Sequence, residues 1–194
     1  MFGMIDETIH KVPLRRRHLV ILISYFIRRR LYKWAFAIAL NYWAALRISE
    51  LLNLTWGDFR LTIKLASITV RKAKNHLRPK FSIVTHSTAL DSLPILAAKH
   101  ISVLTRRRNS STKIFSFGRT VYNQAIKRAC RATGLPIGTS HSFRAGFITD
   151  AFAQGVPATA IARHTRHKSI RSLSDYDLPD ISDLQKSSDL MMSK

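Results

Sequence analysis

The chain has 194 residues, 46% of them apolar, enough for one domain with a sizeable core. Lys and Arg number 32 against 11 Asp and Glu, a formal charge of +21. Such a surplus repels itself unless a polyanion is near, and nucleic acid is the commonest one, ahead of the alternatives of a ribosomal-type RNA binder or a membrane-surface protein. The charge is unevenly placed: residues 177–194 hold four aspartates against two lysines, leaving a basic body and an acidic tail. Cys130 is the single cysteine, so no intrachain disulfide forms and a reducing compartment fits. Its helical setting, Ala125–Cys130, reads as a buried structural thiol.

Residues 1–12 form a lead-in. A helix is expected from Pro13, with Leu14, Leu19, Leu22, Ile23 and Phe26 at helical spacing and arginine triplets at 15–17 and 28–30. The apolar stretch His18–Ile27 is about half the roughly twenty residues a bilayer span needs. It lacks a small-residue cleavage site, so no signal peptide is read there. Leu31–Leu46 is apolar nearly all round and reads as a central buried helix, interrupted only by Lys33 and Asn41. It delivers Arg47, after which Ser49 caps a helix to Leu54. Glu50, three residues past Arg47, is placed to orient the guanidinium.

Trp56-Gly57-Asp58 marks a turn, and β-branched runs at Phe59–Leu65, Ser67–Arg71 and Lys80–Thr85 read as strands. Lys72-Ala73-Lys74-Asn75-His76-Leu77-Arg78-Pro79 is then a long basic hairpin tip. Leu90, Leu93, Ala97, Ile101 and Leu104 trace another amphipathic helix, ended by the basic loop Thr105–Thr112. Arg119–Thr133 is helical and stopped by Gly134.

Thr139–Tyr176 carries the chemistry. Thr139 or Ser140 caps a helix to about Gln154, with Gly155 as its stop. His141 and Arg144 then share a face, next to a helix N-terminus suited to phosphate. Pro157 starts a short helix through Arg163, His164-Thr165-Arg166-His167 is a turn, and Ser169 caps a last helix towards Tyr176. His141, His164 and His167 lack the carboxylate or cysteine that would complete a metal-ligand set, so no metal is expected.

The run Ala44-Ala45-Leu46-Arg47-Ile48-Ser49-Glu50-Leu51-Leu52-Asn53-Leu54-Thr55-Trp56-Gly57-Asp58 resembles the first arginine motif of the tyrosine recombinases, the phage-integrase family. His141-Ser142-Phe143-Arg144 resembles their His-x-x-Arg motif. His167 follows Arg144 by 23 positions and Tyr176 follows His167 by 9, both similar to the family's spacings. The likeness covers about residues 13–180. Two family glycines are replaced, by Ala45 and by Arg166, and the glycine common near the hairpin lysine is missing, so Lys74 is favoured over Lys72 only because it lies nearer the turn.

The resemblance implies a mainly α (α+β) fold: a helical catalytic domain over 13–177 with a small antiparallel three-stranded sheet, like that of type IB topoisomerases. Residues 178–194 would be an acidic tail exchanged between protomers. It implies a site-specific recombinase or integrase of a virus or mobile element, cutting and rejoining double-stranded DNA through a 3′-phosphotyrosyl bond without metal, ATP or other cofactor. Arg47, Lys74, His141, Arg144, His167 and Tyr176 would be catalytic, with Glu50 supporting. Such proteins work as dimers or tetramers on DNA, inside the cell and off the membrane, in cytoplasm, nucleoid or host nucleus. The rivals are type IB topoisomerase-like relaxation of DNA, a non-catalytic DNA-binding module, and a basic RNA-binding protein. The last explains the charge but not the ordered His, Arg, His and Tyr.

Overall fold

The computed structural model describes residues 12–61, 65–71, 81–86 and 109–176. The expected lead-in (all but Val12), hairpin tip, helix over Leu90–Leu104 and acidic tail lie outside them. Helix α1 (Arg16–Arg28) begins three residues later than the sequence suggests. Pro13 and Leu14 run instead along another helix, where Leu14 N–H donates to the Ser142 carbonyl at 2.9 Å. The α1 start is also fixed from outside: Asp150 accepts the Arg16 N–H at 2.7 Å and Arg15 Nε at 2.6 Å. A carboxylate at a helix N-terminus meets both the unpaired N–H groups and the positive end of the dipole.

Helix α2 (Tyr32–Trp43) is the central element, with every residue from Ala35 to Tyr42 buried. Each large side chain buried this way contributes about 1.5–3 kcal/mol. Trp34 stacks on Phe117 at 4.3 Å, and Phe117 stacks on Tyr122 at 5.4 Å, tying α2 to α4 (Arg119–Ala132). Cys130 is buried on α4, where burial pushes its thiol pKa up. Asn41, on the buried stretch of α2, is fully buried and satisfied: its Nδ2 donates to the Leu46 carbonyl and its Oδ1 accepts from Tyr122.

Helix α3 (Ile48–Leu52) follows, then a 3-10 turn at Trp56–Asp58. Strands β1 (Phe59–Leu61), β2 (Leu65–Val70) and β3 (Phe81–His86) pair antiparallel in that order, with Phe59 opposite Ile68 and Leu65 opposite His86. Ile68 and Val70 turn inward, as the two-residue period of a strand requires. Helices α5 (Ser140–Ala153) and α6 (Ala158–Thr165) and a last 3-10 helix (Ile170–Tyr176) complete the described residues. Ser169 Oγ accepts from Arg171 N–H, capping that last helix. A second small core of Ile148, Ala151, Ile161, Ala162 and Leu173 joins these three elements and seats Tyr176. Among the described residues no helix is long and apolar enough to cross a membrane.

Helix ends explain where the sequence boundaries miss. Helix α2 stops at Trp43, three residues short of expectation, because Ala45 adopts φ +44°. Ala45 N–H then returns to the Tyr42 carbonyl and Leu46 N–H to Asn41, the paired bonds of a Schellman end. Helix α6 ends the same way: Arg166 has φ +59°, its N–H returns to Arg163, and His167 N–H returns to Ala162. His164 and Thr165 are therefore helical, not part of the expected turn. Glycine fills the same left-handed position after α4 and α5, at Gly134 and Gly155.

Candidate active site

Three helix ends among the described residues take the left-handed turn without glycine, at Arg30, Ala45 and Arg166; the last two face each other, and the site is built on their carbonyls. Each backbone carbonyl from Trp43 to Leu46 accepts from a side chain. Trp43 O takes His164 Nε2 at 2.9 Å, Ala44 O takes Arg166 at 3.4 Å, and Leu46 O takes Asn41 at 2.7 Å. Ala45 O takes both Arg144 Nη1 and Arg166 Nη2. Carbonyls left over at helix C-termini carry partial negative charge, which draws guanidinium groups to this spot.

Arg144 leaves the first turns of α5 and is 2% exposed. It donates to Ala45 O and Thr165 O, and its Nη2 lies 3.3 Å from His167 Nε2. Burial, then the charges of Arg47 and Arg166, pull its pKa down to about 9, so it stays cationic at neutral pH. Arg47 stands at the N-cap of α3. Glu50 Oε2 accepts its N–H at 2.9 Å and Glu50 Oε1 its Nη1 at 3.0 Å, while Arg47 Nη2 reaches the Arg166 carbonyl at 3.4 Å. The Arg47 side chain remains 26% exposed, against 1% for Glu50. Burial alone would raise the Glu50 carboxyl, but the charges and hydrogen bonds of Arg166 and Arg47 outweigh it and hold the group below the usual range.

His167 follows the left-handed Arg166. The Thr165 hydroxyl gives its proton to the Ile161 carbonyl at 2.7 Å, so toward His167 Nδ1, 2.6 Å away, it accepts. This assigns the proton to Nδ1 and leaves Nε2 to receive Arg144. Burial and the charges of Arg144, Arg47 and Arg166 push the His167 pKa down to about 4, in keeping with a neutral ring. His141, second residue of α5, presents Nε2 at 3.3 Å from the Tyr176 hydroxyl.

Of the residues singled out in the sequence, Arg47, Glu50, Arg144 and His167 form one hydrogen-bonded cluster, and His141 pairs with Tyr176 beside it. Lys74 and Lys72 lie outside the described residues. His164 turns away, stacked on Phe147 at 4.7 Å and bonded to Trp43 O. Among the described residues no three His, Cys, Asp or Glu side chains converge as metal ligands. Sequence reasoning missed Asn41, Thr165 and the side chain of Arg166. Asn41 had a legible signal, since a polar residue inside an apolar helix must find a partner when buried.

Two cations and a half-buried histidine on a ring of carbonyls can cradle one phosphate-sized anion within reach of a tyrosine hydroxyl. The comparisons with known proteins agree in fold. Among solved structures, XerH site-specific recombinase bound to palindromic difH substrate matches with a TM-score of 0.74 at 14% identity, over 94% of this chain and 54% of that one. XerA recombinase matches at 0.72 and 17% identity, over 98% of this chain and 66% of that one. The Tn1549 transposon integrase in complex with circular intermediate DNA matches at 0.66 and 18% identity, over 95% of this chain and 67% of that one. This chain thus spans about half the length of the XerH recombinase. No curated protein matches it in sequence. The model of the phage integrase family matches residues 22–180, which takes in every motif described above. The chain belongs to the phage integrase family, the tyrosine recombinases.

Proposed function

We propose that this protein is a site-specific DNA recombinase that cuts and reseals DNA strands through a covalent bond between Tyr176 and a 3′-phosphate. The observation that carries this reading is the Tyr176 hydroxyl lying 3.3 Å from His141 Nε2, next to the Arg47–Arg144 cluster. The Tyr176 oxygen attacks the phosphorus of one phosphodiester. Its proton passes to His141, which answers the problem of a phenol whose free pKa is about 10. The bond from phosphorus to the 5′-oxygen breaks, and that oxygen leaves as a hydroxyl after gaining a proton. Lys74, or Lys72 in its place, supplies it from the hairpin tip. Arg47 and Arg144 hold the non-bridging oxygens, whose charge grows in the transition state. His167 Nε2, protonated from solvent as the phosphate arrives, donates a hydrogen bond to a non-bridging oxygen of that phosphate and keeps its proton through the step. The 5′-hydroxyl of another strand reverses these steps, so the phosphotyrosyl bond conserves the energy that ATP would otherwise supply.

The partner is double-stranded DNA, in keeping with the +21 charge, and the active form is a dimer or tetramer on that DNA. We assign residues 178–194 to contact between protomers through Ile181 and Leu184. Deleting them abolishes synapsis if this is right, and leaves it untouched if it is wrong. The central experiment is incubation with radiolabelled supercoiled DNA followed by denaturing electrophoresis. Wild type carries label on the protein, and Tyr176→Phe binds DNA without carrying label. An adduct formed equally by Tyr176→Phe overturns the assignment. Relaxation of any plasmid without recombinant product identifies a topoisomerase instead.

A further inference from the structure

Arg166 stands where a side chain is least expected. Its φ of +59° is the left-handed position that glycine fills after α4 and α5. The strained backbone is held by what the side chain does. The guanidinium is buried and crosses from the end of α6 to the end of α2. It donates to His164 O at 2.9 Å, Ala45 O at 3.0 Å and Ala44 O at 3.4 Å. It also donates to Glu50 Oε2 at 2.8 Å, in an ion pair whose two side chains are 2% and 1% exposed. That same Glu50 oxygen accepts the Arg47 N–H, and the other holds Arg47 Nη1. The Arg166 carbonyl closes the loop by receiving Arg47 Nη2 at 3.4 Å.

We propose that Arg166 is a positioning residue: by clamping Glu50 and the Ala44–Ala45 carbonyls it fixes the Arg47 guanidinium and the following His167 for one phosphate, without touching that phosphate itself. This rests on the recombinase reading for its catalytic consequence but not for its structural one. Two facts favour positioning over direct contact. The two Arg166 Nη nitrogens donate to four protein acceptors, the carbonyls of His164, Ala44 and Ala45 and the Glu50 carboxylate. Its Nε is buried without a partner among the described residues, so the side chain is held for its fork and not for full satisfaction. A lysine has the charge but not the fork, and it cannot reach a carboxylate and two carbonyls at once.

The test compares wild type with Arg166→Gly, which suits the left-handed backbone, and Arg166→Lys, which keeps the charge. Single-turnover cleavage of a nicked suicide substrate gives the rate, and fluorescence titration of the same duplex gives the affinity. Nitrogen-15 NMR of the free protein reports rotation of the Arg47 guanidinium. Arg166→Gly is expected to lose about 100-fold in cleavage rate, the scale of a misplacement near 1 Å, with affinity changed less than threefold. The Arg47 guanidinium then rotates freely, where in wild type it is restricted. Adding guanidinium ion below denaturing concentration restores part of the rate. Wild-type cleavage in Arg166→Gly, or an Arg47 guanidinium still restricted there, overturns the proposal. If Arg166→Gly does not fold, Arg166→Lys decides: about tenfold slower cleavage supports the clamp, and full activity overturns it. If wild type itself forms no adduct, the recombinase reading fails and the Arg47 rotation alone decides the positioning role.

Discussion

Arg144 and Arg47 donate to consecutive carbonyls of one turn, Arg144 to Thr165 O and Arg47 to Arg166 O. Residues 97 positions apart in sequence are thereby set side by side on one scaffold. Repulsion between them is met by Glu50 and by the carbonyl ends of α2 and α6. A phosphate entering beside them would relieve the remaining excess of positive charge.

From this pairing, Arg144→Ala and Arg47→Ala should each lower single-turnover cleavage by about 10²–10³-fold, as loss of an oxyanion donor does. Arg144→Lys should recover little, since one ammonium cannot bridge Ala45 O and Thr165 O. Rapid-quench measurement on a suicide substrate gives the comparison. Wild-type rates in Arg144→Ala would remove Arg144 from the site.

Stability should fall on acidification in a window set by the histidines. His167 is lowered to about 4 from 6.5, and His164 and His18 are lowered too, each first by burial. Between those values the unfolded chain binds more protons than the folded one, so stability rises with pH from about 4 to 6.5 and is lost on the way down. Glu50 and Asp58, held low by their arginines against burial, add a further loss at lower pH. Half-exposed His167 gives only a screened share of this. Urea midpoints across this range should fall less steeply for His167→Gln. An identical slope in wild type and variant would mean that the folded His167 ring is not held neutral.

Gly146 sits on α5 where the chain before α1 crosses it. A Cβ at this position would lie 2.1 Å from the Leu14 carbonyl oxygen, a backbone atom with nowhere to go. Gly146→Ala should therefore destabilise by about 1–3 kcal/mol through overpacking. This outweighs the gain of about 1 kcal/mol that alanine normally brings to a helix. Denaturant unfolding measures it, and an unchanged or raised midpoint would show that Leu14 does not pack there.

Ala45 offers the opposite case. Its φ of +44° costs an L-residue about 1–2 kcal/mol. Glycine removes that strain at an entropic cost of about 0.4–1 kcal/mol in the unfolded chain. Ala45→Gly is expected to be stabilising by about 0.5 kcal/mol with cleavage intact, because the carbonyl that binds Arg144 and Arg166 is retained. A large loss of stability would show that the Ala45 methyl group is itself a packing element.

The sequence by itself determined the helical periodicities, the glycine stops at Gly134 and Gly155, the buried thiol of Cys130, and the order His141, Arg144, His167, Tyr176. These are local: a period, a cap or a motif spacing is written in neighbouring residues. Glu50 as partner of Arg47 was legible for the same reason, lying three positions on. Tertiary structure alone decided that α2 ends at Trp43 and that Ala45 and Arg166 take glycine's place, since strain at a helix end is tolerated only when distant partners hold it. It also decided that His164 props up Trp43 while His167 enters the site, though only three residues separate them. The cause is geometric: carbonyls from two helix ends and side chains from four elements meet at one point, and no stretch of sequence records which of its basic residues that point will attract.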